Sequence, residues 1–155
     1  MRDPQKKRDV DTSGLRIVAD AAALADDPNV DVVAELIGGH EGVARALVEQ
    51  SIANKKHVVT ANKALLAHHG NALAASAEQQ GVVLAFEAAV AGGIPIISAL
   101  RDGLAANRIL RVAGVLNGTC NYILSRMQEE QLDFPVVMEE AKNLGFLEAD
   151  PSLDI

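Results

Sequence analysis

A chain of 155 residues with 49% hydrophobic and 23% charged side chains has the size and composition of a globular domain rather than a disordered one. Its net charge of −7 argues against non-specific nucleic-acid binding, and its single cysteine, Cys120, excludes an intrachain disulfide or a zinc centre built from several thiolates. The most apolar uncharged run, 88–100, contains Gly92, Gly93 and Pro95 and is too short to span a bilayer; the start "MRDPQKKRDVD" lacks the apolar segment of a secretion signal, so a cytoplasmic location is expected.

In chain order, "LRIVA" (15–19) reads as a short strand and "ALADDPNV" (23–30) as a brief helix closed by a turn at Asp27-Pro28-Asn29. "DVVAELI" (31–37) is β-rich and ends in Gly38-Gly39. From Gly42 to Asn54 the apolar positions Val43, Ala44, Leu47, Val48 and Ile52 keep helical spacing. "HVVT" (57–60) is the next strand, 64–80 the next helix with a stop at Gly81, and "VVLAFEAAV" (82–90) another strand. This β-α-β-α-β order at crossover spacing predicts an α/β fold, a doubly wound parallel sheet of the Rossmann type.

Beyond Gly93 the pattern changes. "IPIISALRDGLAAN" (94–107) reads as a helix with Pro95 in its first turn, "RILRVAGVLNG" (108–118) as a strand, and 119–131 and 134–145 as two successive helices. A boundary near Gly92 is expected, with a partial dinucleotide-binding domain over 1–92 and the start of an α+β domain over 93–155. The Gly-rich turn G-x-G-x-x-G that opens such a sheet is absent, so either the fold is a different one or its first β-α unit is missing.

Several short stretches carry chemistry as well as plain structure. The basic run "RDPQKKR" (2–8) suits either the 2′-phosphate of NADP or a solvated terminus. "ELIGG" (35–39) ends a strand where ligands of open α/β sheets bind, and its glycines either admit a cofactor or simply make the turn. In "TANKALL" (60–66), Thr60 or Asn62 can cap the following helix. Lys63 is placed against the positive end of that helix, which an anion or a reacting oxygen would explain; an exposed lysine on a capped helix is the plainer alternative.

"FEAAVAGGIPII" (86–97) combines Glu87 with a sharp turn whose carbonyls suit a hard cation, or it is an interdomain hinge. "LNGTCNYI" (116–123) offers Gly118 and Thr119 as an anion or amino-acid cradle, or as an ordinary helix start. Glu148, Asp150 and Asp154 form an acidic loop that faces water or an ammonium group. Cys120 reads as structural, and the adjacent His68 and His69 point in different directions on their helix and receive no chemistry.

Taken in order, "ELIGG", "KHVVTANKALLAHHG", "FEAAVAGGIPII", "LNGTCNYIL" and "LGFLEADPSLD" resemble homoserine dehydrogenase over nearly the whole chain. The resemblance implies an NAD(P)-dependent oxidoreductase interconverting L-homoserine and L-aspartate 4-semialdehyde, in threonine, methionine and isoleucine biosynthesis. It places Lys63 beside the nicotinamide and the substrate oxygen, and Arg2 and Lys7 near the ribose 2′-position. Ile37, Gly38, Gly39 and Asn62 join these as cofactor-binding positions. Glu87, Val90, Gly92 and Ile94 match a loop that binds sodium, mainly through backbone oxygens. Gly118, Thr119, Glu148 and Asp154 match the substrate pocket, the acids facing the ammonium of homoserine.

Phe146 stands where many relatives have tyrosine. The family's catalytic aspartate and lysine are expected beyond Ile155. The chain therefore looks like an internal piece, from an enzyme expected to be a homodimer without membrane or nucleic-acid partners, and by itself weakly active or inactive. The competing expectation is a non-catalytic fragment that associates with another chain.

Overall fold

Parallel backbone pairing organises the first part of the chain. The computed structural model describes residues 9–114 and 117–146. The chain divides into two compact units, Met1–Ala105 and Ala106–Ile155.

In the first unit, helix α1 (Ala22–Asp26) precedes strand β1 (Val32–Glu35), helix α2 (Val43–Ala53), strand β2 (His57–Thr60), helix α3 (Lys63–Gln80) and strand β3 (Leu84–Ala85). The sheet has the order β1-β2-β3 and both pairings are parallel, with Val33 opposite Val58 and Val58 opposite Leu84. The α/β reading and its parallel sheet hold. Crossover connections through α2 and α3 are what parallel neighbours require.

Alternation decides which side chains enter the core. Val33 and Glu35 on β1, and Val58 and Thr60 on β2, are buried on one face, while Val32 and Val59 are exposed on the other. Val48, Ile52, Leu65, Leu73, Ala77 and Leu84 pack around Val58, and a second cluster joins Ala25, Val33 and Leu47. The buried Lys56 ammonium donates to the Asp27 carbonyl at 2.5 Å and the Val30 carbonyl at 2.6 Å, which satisfies two of its donors and ties down the turn. Gly81, at φ +69°, ends α3 with the left-handed residue that its C-terminus favours.

In this first unit three expected elements differ. Residues 15–19 form no strand, because they have no ladder partner among the described residues. The strand expected over 82–90 shrinks to Leu84–Ala85; at Glu87–Ala89 the chain turns into one 3₁₀ turn. The expected helix over 94–107 is a short turn α4 (Ile96–Ser98) running into a π-type turn (Ala99–Gly103), and it belongs to the first unit.

In the second unit, α5 (Gly118–Glu130) and α6 (Phe134–Asn143) pair through Ile123, Val137 and Ala141. Residues 108–114 carry no strand, again without a ladder partner among the described residues. Among the described residues, no helix is long and apolar enough to cross a membrane.

Candidate cofactor and substrate sites

The C-terminal ends of β1 and β2 hold a buried polar network. Glu35, fully buried, accepts the Ile37 amide at 2.6 Å and the Gly38 amide at 3.1 Å through Oε1. Its Oε2 accepts the Thr60 hydroxyl at 2.6 Å, and Thr60 Oγ1 in turn accepts the Asn62 amide at 3.0 Å. Asn62 Nδ2 donates to the Gly39 carbonyl at 2.7 Å, while its Oδ1 accepts the Leu65 amide at 3.0 Å and caps α3. Of the two capping candidates, Asn62 is the cap and Thr60 positions it.

This network fixes the loops that sequence reasoning singles out. Gly38 and Gly39 take φ of +83° and +82°, a conformation glycine adopts without a Cβ penalty, and a Cβ added at either would meet nothing within 4 Å. The backbone there is open to an approaching ligand. Leu36, Ile37, Gly38, Ala61 and Asn62 line a cavity of about 180 Å³, and Ala19–Ala21, Ile37, Gly38, Glu41, Val43 and Ala44 line one of about 360 Å³. Lys63 is the first residue of α3 and is exposed.

The rim of the larger cavity is charged. Glu41 bonds His69 Nε2 at 2.9 Å and Arg45 at 3.1 Å, and the His69 bond, then Arg45, hold its carboxyl below the usual carboxylate range. Arg45 also bonds Glu49 at 2.7 Å. His68, by contrast, stacks on His40 with ring centroids 4.2 Å apart. The two neighbouring histidines of α3 thus have different partners, as their helical directions require.

Glu87 serves the backbone. Its two carboxylate oxygens accept the amides of Ile97 at 2.9 Å and Ser98 at 3.0 Å, tying the 3₁₀ turn to the start of α4. The Ile94 carbonyl accepts the Ile96 amide at 2.8 Å. Val90 continues from the 3₁₀ turn with extended backbone, and Gly92 follows it in the same loop. No group of three or more His, Cys, Asp or Glu capable of holding a metal ion occurs among the described residues.

In the second unit, Asn117 caps α5 by accepting the Cys120 amide at 2.8 Å. Gly118, Thr119, Tyr122 and Phe146 line a cavity of about 320 Å³. The Thr119 hydroxyl donates to the Phe146 carbonyl at 2.8 Å, and the Phe146 ring meets Tyr122 edge-on at 4.9 Å. Arg2, Lys7, Glu148 and Asp154 lie outside the described residues.

Sequence reasoning missed Glu35, Thr60 as a positioning group, and the Arg126–Glu140 pair at 3.0 Å that locks α5 to α6. A glutamate at the end of a β-rich run was the one signal for the first; its burial depends on strand register.

Residues 2–87 match the family model described as the NAD binding domain of homoserine dehydrogenase, and residues 95–155 match the homoserine dehydrogenase model. The chain belongs to the homoserine dehydrogenase family. A homoserine dehydrogenase of Pseudomonas aeruginosa is 56% identical over 94% of this chain and 33% of its own length; one of Neisseria gonorrhoeae is 52% identical over 95% and 35%. The crystal structure of a homoserine dehydrogenase from Thiobacillus denitrificans superposes with a TM-score of 0.85 at 56% identity, covering 92% of this chain and 33% of that one. A hyperthermophilic archaeal homoserine dehydrogenase in complex with NADPH superposes with a TM-score of 0.72 at 33% identity, covering 81% and 38%. The chain spans about a third of the length of the curated relatives it matches. Homoserine dehydrogenases are NAD(P)-dependent oxidoreductases, so the parallel sheet of the first unit belongs to an NAD(P)-binding domain.

Proposed function

We propose that this chain supplies the distal half of the NADP site, or of an NAD site, and the opening of the substrate domain of a homoserine dehydrogenase. The observation that carries the reading is the open Gly38-Gly39 turn, held against the Asn62 cap at the ends of two adjacent parallel strands. Ligands of open α/β sheets bind at that edge. The cradle has a glycine backbone without side chains in the way, apolar walls from Ile37 and Ala61, and a turn held in place by its own internal hydrogen bonds, a fit for one planar ring of a dinucleotide.

When bound, the nicotinamide supplies or accepts hydride at the substrate carbon. The chain's residues orient and stabilise. Ile37, Gly38, Gly39 and Asn62 shape the cofactor-facing wall, and Arg2 and Lys7 attract the 2′-phosphate. Lys63 stands at the N-terminus of α3, where its ammonium donates to the substrate oxygen as negative charge develops. Gly118 and Thr119 hold the amino-acid part of the substrate; Glu148 and Asp154 pair with its ammonium.

The sodium reading at Glu87, Val90, Gly92 and Ile94 rests on the family resemblance alone. Here the Glu87 carboxylate caps α4 and the Ile94 carbonyl accepts an amide, an arrangement that suits a hinge as well as a cation loop. A domain boundary near Gly92, a cytoplasmic location, a role in threonine, methionine and isoleucine biosynthesis, and homodimerisation complete the proposal.

The test is NADPH titration of the purified chain, followed by an NADPH-linked assay with aspartate 4-semialdehyde. The expected result is measurable binding with weak or no turnover, because the chain spans about a third of the length of the curated relatives it matches and contains no G-x-G-x-x-G turn. Turnover by this polypeptide alone at ordinary enzyme rates would refute the proposal. A second reading, association without catalysis, is favoured by Val32 and Val59, which leave one face of the parallel sheet 53% and 42% exposed at these positions; parallel sheets are normally covered on both faces. Self-association in sedimentation without NADPH affinity would select it.

A further inference from the structure

We propose that Glu35 and Thr60 are positioning residues of the cofactor site, joining the turn after β1 to the cap of α3 so that both walls of the NAD(P) cradle move as one piece. The inference rests on the cofactor reading above and adds two residues to it.

Each link is a short contact in the core. Glu35 and Thr60 are both fully buried, one at the C-terminal end of each of two paired strands, directly opposite each other in register. Glu35 Oε1 gathers the Ile37 and Gly38 amides, which fixes the direction in which the turn leaves the sheet. Its Oε2 accepts a hydrogen bond from the Thr60 hydroxyl at 2.6 Å, and the same hydroxyl oxygen accepts one from the Asn62 backbone amide. Thr60 therefore uses donor and acceptor at once, and only a hydroxyl in that place relays the glutamate to the Asn62 backbone.

Plain structural filling does not account for this pattern. A strand end facing an aliphatic core is well served by valine, whereas a carboxylate there is costly unless fully hydrogen-bonded. Of the three groups that satisfy Glu35, two are amides of the turn after β1 and the third is the hydroxyl at the end of β2; none belongs to the helices that pack on the sheet. The network is thus dedicated to the cradle. Preorganised walls spare a ligand the cost of ordering them, so loosening the tether is read in affinity.

The experiment compares the full chain with Thr60→Val, Thr60→Ser and Glu35→Gln, by NADPH titration and by backbone-amide hydrogen exchange. Thr60→Val and Glu35→Gln are each expected to weaken NADPH binding about tenfold, the effect of losing one charge-assisted hydrogen bond. Exchange should accelerate at the Ile37, Gly38 and Asn62 amides, while the Val58 amide, bonded to the Val83 carbonyl at 2.8 Å, keeps its protection. Thr60→Ser, which retains the hydroxyl, is expected to stay within about twofold of the wild type. NADPH binding by Thr60→Val at wild-type strength, or equal loss in Thr60→Ser and Thr60→Val, overturns the inference while leaving the cofactor reading intact. A wild-type chain with no NADPH affinity overturns both.

Discussion

The side-chain amide of Asn62 holds the carbonyl of Gly39 at 2.7 Å, although the two residues are 23 positions apart in the chain. The same side chain caps α3 through the Leu65 amide. One residue therefore closes a helix and pins the neighbouring loop. Asn62→Ala removes both bonds and is expected to destabilise the first unit by about 2 kcal/mol, the sum of a lost cap and a lost buried hydrogen bond. Urea denaturation followed by circular dichroism measures it. A loss below about 0.5 kcal/mol, the size of an ordinary surface change, would mean that neither bond matters in solution.

Gly38 and Gly39 isolate a backbone effect from a steric one. A Cβ at either position meets nothing within 4 Å, yet both residues have strongly positive φ. Gly38→Ala or Gly39→Ala is therefore expected to cost about 1–2 kcal/mol through conformation alone. Gly14 offers a control, since its Cβ also meets open space and its φ is not in that region. Equal melting temperatures for Gly38→Ala and Gly14→Ala would refute the strain argument.

Lys63 separates stability from chemistry. It is exposed at the start of α3, so Lys63→Met should change unfolding free energy by no more than about 0.5 kcal/mol. In a polypeptide that contains this sequence and turns over, kcat for aspartate 4-semialdehyde is expected to fall about 10²–10⁴-fold, the usual contribution of a well-placed proton donor. Unchanged kcat would remove Lys63 from the reaction.

The α5–α6 hairpin should be acid-labile. Hydrogen bonds from Tyr122 and then Arg126 hold the Glu140 carboxyl below its ordinary range. A depressed folded-state pKa stabilises the hairpin above the unfolded pKa of about 4.3, and that contribution is lost as pH falls through the folded value. Glu140→Gln should therefore be less stable than wild type at neutral pH, and the gap should close on acidification below about pH 4. Thermal melts of both proteins across that range report it. A gap that stays constant down to full protonation would show that the charge of Glu140 is not what joins the helices.

Periodicity and turn chemistry made the first unit legible. The i, i+3, i+4 spacing of α2, the HVVT run of β2 and the Gly81 stop of α3 each follow from local physics, and their order requires a parallel sheet. The Gly38-Gly39 turn, the Asn62 cap and Lys63 at a helix start were visible for the same reason. Where a segment needed a distant partner, local reading overreached. "LRIVA" and residues 108–114 have β-forming composition but no ladder neighbour among the described residues, and a strand is not a local structure.

What the sequence determined by itself was a layered α/β chain with glycine-lined strand ends, and a motif order belonging to the homoserine dehydrogenase family. What only the tertiary structure decided was who satisfies whom. That Glu35 faces inward rather than outward is a matter of strand register, since a shift of one residue reverses every side chain. Only when β1 and β2 pair with Glu35 opposite Thr60 does the Glu35 carboxylate reach the Thr60 hydroxyl and join the local contacts that each makes with its own loop. Bonds between groups 25 residues apart along the chain depend on the pairing of two strands, and local sequence cannot fix that pairing.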